Sequence, residues 1–114
     1  MSKRYFGNFQ VVDDVNKEFA ITGSTRVKDT EILFAFYGTA PYEGDAIVIF
    51  ERTGKLFEVN ASHCSCYGLE DQWAPEETSW EALKIRKFYT CDDDQKPLES
   101  LRALIDAHIP KETS

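Results

Sequence analysis

The fold is decided by one stretch of the chain, residues 46–60, which reads AIVIFERTGKLFEVN. Its first part, Ala46 to Glu51, is apolar on both faces and predicts a buried strand. Residues 52–54 contain a glycine and predict a turn. The last part, Lys55 to Asn60, alternates in character and predicts a second strand, whose exposed face is formed by Leu56, Glu58 and Asn60. The stretch therefore reads as a β-hairpin.

A third strand is predicted upstream of the hairpin, from Glu31 to Tyr37, where apolar residues again occupy both faces. The residues between them, Gly38 to Asp45, are predicted to form a loop, because two glycines and a proline disfavour both a helix and a strand ladder. Consecutive strands usually pair with each other. We therefore expect a three-stranded antiparallel meander.

A short amphipathic helix is predicted over residues 8–19. Its apolar side chains recur at intervals of three to four, the period of one helix face, and they are Phe9, Val12, Val15 and Phe19. An edge strand is the alternative for Phe9, Val11 and Val12, since β-branched side chains are common in strands. Residues 23–28 are predicted to form a turn and a connection.

Two further helices are predicted in the second half of the chain. One begins near Thr78, whose spacing to Glu81 is that of a capping box, and runs towards Phe88. The other extends from about Pro97 to His108, with its apolar residues along one stripe. These elements predict a single α+β domain over residues 1–114. In it a small antiparallel β-meander of three or more strands packs against two or three helices, and the last four residues fray.

Composition indicates a cytoplasmic protein that does not contact a membrane. The N-terminal residues lack the apolar run of a signal peptide, and no apolar run approaches the roughly twenty residues that span a bilayer. The three cysteines are odd in number, and Cys64 and Cys66 are too close for an easy bridge. This pattern argues against a secreted disulfide framework and favours a reducing compartment.

The net charge of −7 is concentrated in one part of the sequence. No lysine or arginine occurs between Lys55 and Lys84, whereas six acidic residues do. Affinity for nucleic-acid phosphates comes from lysine and arginine, so we expect no direct nucleic-acid binding by this region. A partner protein with a basic surface would be attracted to it. Solubility is the alternative role for these charges.

A zinc-stabilised binding module is one interpretation of the cysteines. His63, Cys64, Cys66 and Cys91 supply the thiolate and imidazole ligands that zinc prefers. Their spacing is poor, because structural zinc sites use two to four residues between paired cysteines and here only one separates Cys64 from Cys66. The alternative is that the cysteines serve as small apolar residues and His63 as a hydrogen-bonded turn residue. We expect no bound metal and no cofactor.

A cysteine-dependent enzyme is a second interpretation, because His63 adjoins Cys64 and an imidazolium lowers the pKa of a nearby thiol. The acids around this pair oppose that activation. The sequence offers no oxyanion-hole segment to complete a catalytic set, and the usual nucleotide-binding, hydrolase and zinc-protease motifs do not occur. We therefore predict no catalytic residue and no enzymatic activity.

A third interpretation is an interaction surface in which large aromatic rings lie among acids, a composition that anchors a protein partner while its charges steer the encounter. The candidate partner-binding residues are Tyr42, Glu43, Asp45, Tyr67, Glu70, Asp71, Trp73, Glu76 and Glu77. Filling the core is the alternative for Trp73, and it is favoured for Trp80, which lies in the first turn of a predicted helix. We likewise expect His108 to be a partly buried core histidine.

Two blocks of the sequence, from Tyr37 to Ala46 and from Ser62 to Trp73, resemble a family of small proteins found in tailed phages and prophages. The resemblance is carried by the run HCSCYGLE and by the acidic continuation WAPEE, and it covers less than half of the chain. It brings no activity and no site residues with it. It implies a context, because small acidic phage proteins frequently bind and inhibit a host enzyme or defence complex. The predicted partner is therefore a host protein with a basic surface.

Overall fold

A mixed five-stranded sheet forms the centre of this α+β protein. The computed structural model describes residues 4–7, 9–38, 43–64, 69–70, 72–85 and 96–109. Along the sheet the strands follow their order in the chain: β1 (Tyr5–Gly7), β2 (Ile32–Tyr37), β3 (Glu43–Arg52), β4 (Lys55–Cys64) and β5 (Glu76–Thr78). The β1 and β2 strands are parallel, and every later neighbour is antiparallel.

The predicted meander is confirmed as β2, β3 and β4. Its hairpin closes at Thr53 and Gly54, whose φ angles are 52° and 78°. Two successive residues at positive φ are the requirement of the turns that match the twist of paired strands. Glycine adopts this conformation freely, which explains why residues 52–54 are readable as a turn in the sequence.

The hairpin strands are longer than predicted. Glu43 to Asp45, predicted to lie in a loop, belong to β3, and His63, predicted to be a turn residue, belongs to β4. The ladder between β3 and β4 continues without interruption from Arg52 opposite Lys55 to Glu43 opposite Cys64. Pairing along a long partner strand therefore overrides the local preference of a glycine-containing segment for a loop.

Two strands of three residues each extend the meander at its edges, and neither is predicted from the sequence. The β5 strand occupies the place where a helix start was predicted. The helix begins two residues later as α2 (Trp80–Ile85), and the Ser79 hydroxyl, not that of Thr78, accepts a hydrogen bond from the backbone N–H of Ala82 at 3.1 Å. Thr78 instead pairs with Leu56 of β4.

One face of the sheet packs against α1 (Val12–Glu18) and the segments beside it. This first face carries Ala35, Tyr37, Ala46, Val48, Phe50 and Val59. The helix begins four residues later than predicted. The Asp14 carboxylate accepts hydrogen bonds from the backbone N–H groups of Gln10 and Val11, and these bonds cap the helix at its observed start. Phe9 and Phe19 flank the helix and remain in the core.

The second face packs against α2 and α3 (Lys96–His108), and the observed bounds of α3 confirm the predicted final helix. The sheet residues of this face are Phe34, Phe36, Ile47, Ile49 and Leu56. The strand face predicted to be exposed is instead covered, since Leu56 and Glu58 are buried and only Asn60 is exposed. Coverage by the two helices is a tertiary effect that the alternation within β4 does not reveal.

Within the described ranges, no helix is long and apolar enough to cross a membrane. The last four residues, which were predicted to fray, lie outside the described part of the chain.

Candidate protein-interaction surface

The segment around Trp73 crosses the first face of the sheet. Leu69 at its start is fully buried in the core, and the backbone N–H of Gln72 donates to the Leu69 carbonyl at 3.1 Å, which turns the chain. The indole of Trp73 then stacks on Phe50, with ring centroids 5.5 Å apart and planes inclined by 17°. It also meets Phe19 in an edge-on contact at 5.0 Å. Two buried rings therefore fix the orientation of this indole.

Trp73 lies at one end of a row of three stacked rings. Phe50 contacts both of the other rings, and Phe57 stacks on it with centroids 5.3 Å apart and an interplanar angle of 20°. Phe50 is buried, whereas Phe57 and Trp73 are half-buried. In the sequence pattern of β4, Phe57 shares one face with Val59, which is buried. The sequence therefore gives no sign that the Phe57 ring is partly exposed.

Acidic side chains border this row. Glu77 of β5 is exposed and lies directly opposite Phe57 in the sheet, so both residues belong to the first face. Glu70, three residues before Trp73 in the chain, is also exposed. Burial raises the pKa of the Tyr37 hydroxyl, and the negative charges of Glu18 and Glu70 raise it further. We call Phe57, Glu70, Trp73 and Glu77 the Trp73 surface.

Glu76 lies on the opposite side of the sheet from Glu77, because successive strand residues face in opposite directions. Its neighbour across the ladder is Glu58, of which only 3% is exposed. The Asn60 side-chain amide donates a hydrogen bond to the Glu58 carboxylate at 2.8 Å. The structure thus divides the predicted acidic set between two faces, which spacing along the sequence cannot show.

The remaining predicted surface residues are described by their backbone alone or lie outside the described residues. Tyr42, Tyr67 and Asp71 lie outside the described residues. Glu43 and Asp45 are described by their backbone, in β3 opposite Cys64 and Ser62. Glu43 is seven residues along the strand from Phe50, which corresponds to about 23 Å at the usual rise of a strand. These two backbone positions therefore belong to the far end of the hairpin.

The structure does not test the zinc-site and catalytic-thiol interpretations, which stay predictions. His63 and Cys64 are neighbours in β4 and are described by their backbone, whereas Cys66 and Cys91 lie outside the described residues. Within the part of the chain that is described, no three His, Cys, Asp or Glu side chains come together as metal ligands.

The tryptophan on the second face has a different role. Trp80 is half-buried against the core, as expected, and its indole stacks on the His108 imidazole with centroids 4.1 Å apart. The prediction that His108 is partly buried is wrong, because its side chain is exposed at the end of α3. The His108 Nδ1 atom also lies 2.9 Å from the carbonyl oxygen of Leu104, within its own helix. This pair ties α2 to α3.

Two ion pairs hold the segments that precede β2. The Arg4 guanidinium binds both carboxylate oxygens of Asp29, and the Tyr5 hydroxyl donates to the same carboxylate at 2.6 Å. The hydrogen bond from Tyr5 lowers the pKa of Asp29 most, and the hydrogen bonds from Arg4 lower it further. Burial of the Tyr5 hydroxyl raises its pKa, and the hydrogen bond to Asp29 and the negative charge of Asp29 raise it further.

Arg52 binds Glu31 with two hydrogen bonds, at 2.8 and 3.0 Å. Each pair joins segments distant in sequence, which is a structural role.

Comparison with protein-family models, with curated proteins and with solved structures finds no match to this chain.

Proposed function

We propose that this chain is a small acidic accessory protein that binds a partner protein with a basic surface through the Trp73 surface. Its role is binding, not catalysis. Following the resemblance of residues 37–46 and 62–73 to phage proteins, the partner is a host protein in the cytoplasm, and the contact inhibits or modulates it. A nucleic-acid-processing or defence enzyme fits best, because such enzymes carry basic surfaces that an acidic protein can occupy.

The observation that carries this proposal is the way Trp73 is held. Its ring is fixed by Phe50 and Phe19, yet part of it stays exposed. Ordering a side chain at an interface normally costs conformational entropy, and a ring already held in place avoids most of that cost. Tryptophan is also among the residues that most often contribute the largest share of binding energy. Trp73 therefore has the properties of a preorganised anchor.

Charge around the anchor supports the choice of partner. Glu70 and Glu77 are exposed acids on the same face as Trp73. The Arg52 guanidinium lies 5.6 Å from the Phe50 ring centroid, but its charge is paired with Glu31. The Lys55 ammonium forms a pair with Glu77 at 4.0 Å. Both members of that pair are more than half exposed, so it neutralises little of the local field. Acids beside a central ring accelerate the encounter with a basic partner and orient it.

The first experiment separates binding from folding at Trp73. A Trp73→Phe substitution keeps a ring on Phe50 and removes part of the exposed indole. We expect it to weaken binding to a partner captured from host lysate by more than it lowers the free energy of unfolding. The matched control is Trp80→Phe, the same change at a half-buried tryptophan on the other face. Equal affinities of both variants and the wild type for that partner would exclude the Trp73 surface.

The second experiment tests the charge. The double substitution Glu70→Lys and Glu77→Lys reverses the acids of the Trp73 surface. Its control, Glu99→Lys with Asp106→Lys, makes the same charge change at exposed positions of α3. We expect the first pair to reduce affinity and to remove its salt dependence, since attraction between exposed charges is screened by salt. If both double substitutions reduce affinity equally, net charge alone explains the binding, and the Trp73 surface is not the binding site.

A further inference from the structure

The edge strand β5 combines three features that oppose pairing with another strand. Among the strands that the structure describes, it is the last of the sheet, and it is three residues long. Pro75, directly before it, has no backbone N–H to extend a ladder. Glu76 and Glu77, two of its three residues, are exposed. Short length, proline and charge are the means by which natural sheets protect their edges from other strands.

The positions of the two acids matter most for a second copy of this chain. Two β5 strands related by a two-fold axis would pair antiparallel with one residue opposite its own copy at the centre, and two such registers place a glutamate there. In one register Glu77 lies opposite Glu77 of the other copy. In the other, Glu76 lies opposite Glu76 of the other copy, because directly opposite residues face the same side of a sheet and Glu76 and Glu77 face opposite sides. Like charges directly opposite each other destabilise a strand pair, so each register is opposed. The net charge of −7 on each copy adds to the repulsion.

We propose that Glu76 and Glu77 prevent this chain from pairing with itself through the β5 edge. The edge would otherwise be competent, because Thr78 is a good strand former and β5 continues a sheet whose central strands are buried. This role is separate from the proposed function. It concerns a second copy of the chain, and it includes Glu76, which lies on the other face from Trp73.

The test is self-association of the purified chain with no partner present. The variant Glu76→Thr with Glu77→Thr leaves three consecutive threonines at the edge. Its control, Glu99→Gln with Asp106→Asn, removes the same number of exposed charges from α3. In sedimentation velocity over a concentration series, we expect the threonine variant to dimerise with a dissociation constant at least about tenfold lower than that of the control. Equal dissociation constants for the two variants would overturn the proposal.

A charge-swap mixture decides the matter if the threonine variant does not fold. The variant Glu76→Lys with Glu77→Lys should remain monomeric alone, because each register now places lysine opposite lysine. Mixed with the wild-type chain it should form a heterodimer that salt weakens, because each register then places lysine opposite glutamate. A mixture that sediments as two independent monomers would contradict pairing through this edge.

Discussion

Gly7 approaches Tyr37 so closely that a β-carbon added to Gly7 would overlap the Tyr37 carbonyl oxygen. The two residues are paired in the parallel ladder between β1 and β2, and Gly7 has a φ angle of +67°. Any other residue at this position must displace a backbone that the strand pair holds in place. Attachment of β1 to the sheet therefore depends on the absence of a side chain here.

We predict that Gly7→Ala destabilises the protein more than Gly23→Ala. Gly23 has the same φ angle of +67°, but a β-carbon there meets no atom within 4 Å. The control should lose about 1 kcal/mol, the cost of a left-handed conformation for a residue with a side chain. The Gly7 variant should lose about 2–3 kcal/mol more, the cost of forcing an atom into a packed site. Urea unfolding of both variants measures the difference, and equal losses would contradict the close approach.

The buried amide of Asn16 is predicted to contribute to stability through hydrogen bonds. Its Oδ1 accepts from the backbone N–H of Val27 at 2.9 Å, and its Nδ2 donates to the Val27 carbonyl at 3.0 Å. Asn16→Ala leaves that backbone pair buried without these partners, so we expect a loss of about 2–3 kcal/mol. The exposed hydroxyl of Thr25, which donates to Thr22, provides a control, and Thr25→Val should cost less than about 1 kcal/mol.

The pairing of Glu31 with Arg52 predicts a loss of stability in acid. Hydrogen bonds from Arg52 lower the pKa of Glu31 below its ordinary value of 4.5. A carboxylate whose pKa is lower in the folded state contributes stability that is complete above the unfolded pKa. That contribution disappears as the pH falls through the lower folded pKa. The free energy of unfolding should therefore decrease as the pH falls below about 4.5.

Glu31→Gln should reduce the decrease in stability, because the variant carries no titrating group at this position. The exposed Glu51 lies on the neighbouring strand, and Glu51→Gln is the control. Thermal unfolding of the three proteins between neutral and acidic pH makes the comparison. Identical pH profiles for the wild type and Glu31→Gln would show that this ion pair does not stabilise the fold.

We also predict that the purified chain binds no stoichiometric zinc. The spacing of Cys64 and Cys66 does not suit one small ion. Elemental analysis of protein expressed with added zinc tests this directly. About one zinc per chain, together with unfolding by a chelator, would establish the zinc-stabilised module instead, since such modules fold only with their metal. Cys91→Ser would then reduce both the zinc content and the stability.

Local patterns in the sequence predict much of the fold. The apolar runs of β2 and β3, the glycine of the hairpin turn and the apolar stripe of α3 are each readable because consecutive residues carry the signal. The charge asymmetry is readable in the same way, since no lysine or arginine occurs between Lys55 and Lys84. These features determined that the chain forms an antiparallel meander with helices and that one region is acidic.

Other features were decided by the tertiary structure alone. The β1 and β5 strands have three residues each, too few to show a period, and they form because a longer strand offers its edge. Burial of Leu56 follows from its place in a cluster with side chains of α2 and α3 on the second face, not from its neighbours in sequence. Glu76 and Glu77 are adjacent in the chain, yet pairing with β4 places them on opposite faces. Contacts between residues distant in sequence carry no local signal, so the composition of the acidic region was predictable and its geometry was not.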